Sequence, residues 1–128
     1  AGQALETRLL LERLFDAEPE ALIAVCGDFN AEERQSPLRT IRADPEDTGN
    51  PELAGRALWS LDGRVPAGQR YSVLHGGRPE MLDHLLVSPA LLAGALEVAV
   101  HNRDLVDELQ EGGPESHHAP VVASFALA

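Results

Sequence analysis

Leu22-Ile23-Ala24-Val25-Cys26-Gly27-Asp28-Phe29-Asn30 is the stretch from which the fold is read. Five apolar residues run without a break and stop at Gly27. A strand covered on both faces has this form, because every side chain along it must meet other apolar atoms. Ahead of it, residues 4–17 follow a helical period. Leu10, Leu14 and Ala17 form one row with Leu5 and Leu9 beside it, and Arg8 and Glu12 are spaced to pair on the wet side. Pro19 disfavours helical geometry at Glu18 and ends the helix. A helix followed by an interior strand is an α/β signal. Cys26, inside that strand, is expected to be a buried and unreactive thiol.

Downstream, three helix starts share a capping side chain followed by Pro: Ser36-Pro37, Asn50-Pro51 and Ser88-Pro89. The second is expected to run through Leu53, Ala57 and Leu58 to about Ser60. The third is hardly more than a turn before Gly94. Residues 42–49 read as a long surface loop, and 107–116, with Gly112-Gly113-Pro114, as an exposed one. Strands are expected at 71–74, 81–87, 96–100 and 121–127, with Gly76-Gly77 joining the first two of these as a hairpin-like connection.

Chemistry collects in three places. Gly27-Asp28-Phe29-Asn30 leaves the first strand at its carboxyl end, where α/β sheets commonly present ligand-binding groups. If the extended backbone persists, Asp28 and Asn30 face one side and Phe29 the other. The same residue types also make ordinary strand-ending turns. In Met81-Leu82-Asp83-His84-Leu85-Leu86-Val87-Ser88, alternation puts Asp83 on a face with Met81, Leu85 and Val87. An ionised carboxylate there needs a partner, a His or a metal ion, unless it lies near a strand end and meets water. His84, on the opposite face, reads as a hydrogen-bonded histidine rather than a ligand. Ser116-His117-His118-Ala119-Pro120-Val121 enters the last strand, from which a His can project into a cleft. Adjacent histidines seldom share one metal, because their side chains diverge.

The chain has 128 residues and a formal charge of −11, with ten Arg, no Lys, five His and a single Cys. This is one domain at most, able to bury about two-thirds of the surface of its unfolded chain. One thiol excludes a disulfide framework or an all-cysteine metal cluster. No apolar run approaches the roughly 20 residues of a membrane span. The acidic balance disfavours a nucleic-acid grip built on broad phosphate neutralisation, while leaving open chemistry on a phosphate through a metal ion. The chain starts Ala1-Gly2-Gln3 with no initiator Met, and the expectation is a processed chain or part of a longer one.

Taken together and in this order, Gly27 to Asn30, Leu82 to Ser88 and Ser116 to Val121 resemble the endonuclease/exonuclease/phosphatase superfamily, the deoxyribonuclease-I-like fold. The resemblance covers the latter half of that domain. It implies that residues 1–128 are half of a four-layer α/β sandwich, a mostly antiparallel or mixed sheet with flanking helices. The partner would be the N-terminal half of the same domain. The implied activity is metal-dependent hydrolysis of a phosphate ester, on nucleic acid, a phospholipid head group or an inositol phosphate. Asp28 would orient or deprotonate the attacking water, and Asn30 would hold the phosphate or nucleophile. His118, partnered by Asp83, would stabilise phosphoryl charge. The implied cofactor is a divalent metal, Mg²⁺ first and Mn²⁺ or Zn²⁺ otherwise, with His117 and His118 as candidate ligands. The family usually has Asp where His117 stands, a change that favours softer ions. The chain alone is expected to be inactive, and the alternative function is a catalytically retired binding or scaffold module. Arg70 and Arg78 are read as solvated cations that could meet a phosphate, Trp59 and Tyr71 as packing groups, and His75 and His101 have no assigned partner.

Overall fold

The computed structural model describes residues 2–113 and 116–127. The chain is mixed α/β, with small antiparallel sheets and short helices. Helix α1 (Gly2–Ala17) leads into strand β1 (Ala24–Asp28). Helices α2 (Ser36–Arg42) and α3 (Pro45–Thr48) follow, then a 3-10 turn at Pro51–Arg56 and the two-residue strand β2 (Trp59–Ser60). Strands β3 (Val73–His75), β4 (Arg78–Glu80) and β5 (Asp83–Val87) precede the one-turn helix α4 (Pro89–Leu92). Strands β6 (Ala95–Val100) and β7 (Val121–Phe125) complete the chain. The order β1-β5-β2 makes a three-stranded sheet, while β3–β4 and β6–β7 are antiparallel pairs. Among the described residues, no helix is long and apolar enough to cross a membrane.

Strand β5 is the spine. Its Leu86 packs with Leu11 and Phe15 of α1, Leu38 and Ile41 of α2, and Leu58. Leu85 and Val87, on its other face, meet Leu61, Leu91, Val98, Ala123 and Phe125. Helices therefore lie against one side and the β6–β7 pair against the other. Alternation along β5 thus predicts its two faces correctly.

Helix α1 is rotated from the orientation its leucines suggest. It buries Ala4, Arg8, Leu11 and Phe15, and leaves Leu5, Leu9, Leu10 and Leu14 exposed. The reason is Arg8. It pairs with Glu12 as the spacing predicts, but the pair faces inward, where the guanidinium donates to the carbonyls of Ile41 at 3.0 Å and Arg56 at 2.7 Å. The guanidinium carries up to five donors, and burying it with these carbonyls turns the helix so that the apolar row lies outside.

Strand β1 also departs from expectation. Ile23 and Val25 pack on the core, whereas Leu22, Ala24 and Cys26 are exposed. β1 is the edge of its sheet, and no described element covers its second face. Cys26 is accordingly an exposed thiol.

The remaining differences are local. The Asn50 side chain caps the Pro51 turn through the Glu52 N–H, as expected, but that turn ends at Arg56 because Trp59 and Ser60 pair with Val87 and Leu86. Ser36 does not cap α2, whose N-cap is Gln35. Ser88 spends its hydroxyl on the Ala21 carbonyl and the Ile23 N–H instead of capping α4. Residues 42–49 contain α3, capped by Asp44. Gly76 and Gly77, at φ 58° and 82°, make a tight two-residue turn, so the return strand is β4 rather than residues 81–87. Pro114 of the expected loop lies outside the described residues.

Candidate active site

Gly27 sits at φ 143°, a backbone that only glycine adopts freely, and it lets β1 continue beside β5 as far as Asp28. The register then sets Asp28 directly opposite Asp83. Two carboxylates facing one another across a sheet repel. A cation answers that repulsion: His118 binds Asp83 Oδ2 through Nδ1 at 2.6 Å and approaches Asp28 Oδ2 through Nε2 at 3.7 Å. Asp83, Asp28 and His118 thus form one cluster at the rim of the sheet, with ligand atoms within 4.8 Å of one another. The hydrogen bond to Asp83 raises the His118 pKa. Partial desolvation opposes it, and the charges of Asp83, Asp28 and Glu108 add to it. These causes favour the protonated ring relative to a free imidazole, and Nε2 faces Asp28 from beyond hydrogen-bond distance.

A buried serine brings the pair together. Ser72 Oγ accepts from the backbone N–H groups of Leu82 and Asp83, at 3.0 and 3.2 Å. The Ser72 carbonyl accepts from the Ala119 N–H at 2.8 Å. One residue therefore ties the start of β5 to the segment carrying His118. Nothing in the sequence marks Ser72 beyond its place just ahead of β3, since a serine reveals such a role only when it is wholly buried.

Asn30 does not share a strand face with Asp28. Its φ of 51° ends the extended backbone at Phe29, and its N–H turns back onto Asp28 Oδ1 at 2.9 Å. Phe29 does pack inward, its ring 5.8 Å from that of His84. Two separate hollows each reach one member of the cluster. One, of about 710 Å³, is lined by His118, Ser116, His101, Asn102, Arg103 and neighbours. The other, of about 410 Å³, runs along Asp28, Phe29, Asn30, Thr7 and Ile41.

His117 is not brought into the cluster. Its ring lies against Gly113, where an added Cβ would sit 2.8 Å from Cε1, and its buried Nδ1 has no partner among the described residues. Successive side chains on an extended backbone diverge, and only His118 points at the carboxylates. Arg78 pairs with Glu80 on the surface. Arg70 donates to the Val65 carbonyl at 2.8 Å. His75 finds Glu108, a partner that no local pattern announces. Trp59 and Tyr71 are half-buried.

The donor set suits a hard divalent cation: two carboxylates and one imidazole, close enough to share an ion. Nδ1 of His118 is taken by Asp83, so the ring could ligate only through an unprotonated Nε2, which makes the carboxylates the first candidates as ligands. Comparison with protein-family models, curated proteins and solved structures finds no match to this chain. The chemistry of the cluster is therefore what argues for its function.

Proposed function

We propose that this chain is the C-terminal half of a metal-dependent phosphoesterase domain of the deoxyribonuclease-I-like kind, a four-layer α/β sandwich when complete. One observation carries the reading: Asp28, Asp83 and His118, from two strands and a loop far apart in sequence, meet at one sheet rim. The free edge and uncovered face of β1, together with the exposed leucines of α1, support the half-domain part of it. In this reading Asp28 orients or deprotonates the attacking water and Asn30 holds the phosphate or nucleophile. Asp83 fixes the ring and charge of His118, which steadies the phosphoryl oxygens. A divalent ion, Mg²⁺ or Mn²⁺, held by Asp28 and Asp83 would polarise the phosphoryl oxygen and offset transition-state charge. The substrate is a phosphate ester: nucleic acid, a phospholipid head group or an inositol phosphate.

Two measurements on the chain test this. Mn²⁺ is expected to broaden NMR signals around Asp28, Asp83 and His118, and the effect should vanish in Asp28→Ala. Hydrolysis of bis(p-nitrophenyl) phosphate by the chain alone should be negligible, and robust turnover would overturn the half-domain reading. Absence of Mn²⁺ binding would favour a retired binding module, a reading to which the position of His117 outside the cluster also contributes.

A further inference from the structure

We propose that His84 is a positioning residue for this site. Clamped by Asp62 at one ring nitrogen, it uses the other to fix the turn that aims Asp28. The purpose of that turn rests on the phosphoesterase reading, but its mechanics do not.

The turn needs fixing. Asn30 occupies the left-handed region at φ 51°, which asparagine enters more readily than other non-glycine residues but which still needs anchors on either side to be held as one conformation. Its direction matters because the Asn30 N–H takes up Asp28 Oδ1, leaving Oδ2 of the same carboxylate for His118. If the turn relaxes, the carboxylate loses its orienting bond. On the upstream side the Phe29 N–H is anchored to the Leu82 carbonyl at 2.9 Å. On the downstream side the anchor is His84, whose Nε2 lies 2.6 Å from the Ala31 carbonyl. A carbonyl oxygen only accepts, so Nε2 carries the proton and donates. The other nitrogen, Nδ1, lies 2.8 Å from Asp62 Oδ2. His84 is 1% exposed and Asp62 4%, so neither has water as an alternative partner. A second, weaker tether lies one residue on, where Glu32 Oε1 accepts the Met81 N–H at 3.0 Å.

Neighbouring residues of β5 thus act on the cluster from opposite faces. Asp83 supplies a carboxylate directly. His84, on the back of the strand, controls the opposing carboxylate through Ala31 and Asn30.

The test compares His84→Gln with His84→Asn in metal-free chain. A Gln amide nitrogen reaches about as far as imidazole Nε2 and can donate to the Ala31 carbonyl. An Asn amide reaches only as far as Nδ1. The two variants keep opposite bonds: Gln keeps the Ala31 carbonyl and gives up Asp62, while Asn keeps Asp62 and gives up the carbonyl. A merely structural role would therefore make Gln, which strands the buried Asp62, the more damaging of the two. The expected result is wild-type-like backbone shifts at Asn30 and Ala31 in His84→Gln. In His84→Asn those shifts should move out of the left-handed range, with amide exchange at Asn30 about tenfold faster, the scale of one lost hydrogen bond. Equal behaviour of the two variants, or an unmoved Asn30 in His84→Asn, would overturn the assignment. Should either variant fail to fold, the wild-type chain decides. A slowly exchanging His84 Nε2–H with a cross-peak to Ala31 is expected, and its absence would also overturn the assignment. Mn²⁺ broadening at Asp28 in the wild type separately tests the phosphoesterase reading, so failure of one result is not failure of the other.

Discussion

Two imidazole–carboxylate pairs stand back to back on β5. His84 and Asp62 lie in the interior, while Asp83 and His118 lie at the rim beside Asp28. Their bond lengths are similar, but their surroundings differ. Burial alone would lower the His84 pKa, yet the hydrogen bond and charge of Asp62, with the Ala31 carbonyl, hold it above its ordinary value. The interior ring is satisfied at both nitrogens and has nothing left to offer a ligand. The His118 side chain keeps 32% of its surface, and among the described residues its Nε2 is held only by a long contact to Asp28. A charge pair sealed from water acts as a strut, whereas the same pair left half in water remains available for chemistry.

The largest expected effect breaks the strut. His84→Leu leaves the Asp62 carboxylate buried and alone, which costs about 3–5 kcal/mol and shows as a lower urea midpoint. The double variant Asp62→Leu/His84→Leu should recover much of that loss, since no charge is then stranded. His118→Asn, by contrast, should cost no more than about 1 kcal/mol, as expected of a pair open to solvent. A rim variant as damaging as the interior one would erase the distinction.

The pH dependence sharpens the contrast. Folding raises the His118 pKa, so the pair contributes fully below the unfolded value of about 6.5 and fades as pH rises through the folded value. The cost of His118→Asn should therefore be greatest in mildly acidic solution and shrink in alkali. In an NMR titration Asp83→Asn should bring the ring back towards its ordinary pKa, because its first partner has lost its charge. Smallest of all, Leu10→Gln on the exposed row of α1 should change stability by less than about 0.5 kcal/mol, while Leu11→Ala, one residue on but buried, should cost about 2–5 kcal/mol.

Local order was legible where it depends on local rules. The two faces of β5, the Asn50 cap and the inward Phe29 follow from periodicity or capping chemistry, and the single turn of α4 from Pro89 at its start even though Ser88 does not cap it. Helix α1 was misread because a count of leucines ignores where a guanidinium can find carbonyls, and those of Ile41 and Arg56 come from distant segments. The interior reading of β1 failed because an unbroken apolar run records what a strand can tolerate, not what covers it. Asn30 leaves the strand where the pairing with β5 ends, and its N–H bonds back to the Asp28 carboxylate instead of a strand partner.

By itself the sequence determined which residue types were available for the site, and that Asp83 required either a partner or water at a strand end. An ionised carboxylate among apolar neighbours is a local energetic fact. Only the tertiary structure decided that His118, and not His117, would be that partner, and that Asp28 would face Asp83. Those outcomes depend on strand register and on the Ser72 bridge between segments, which are set by long-range pairing and not by any short stretch of chain.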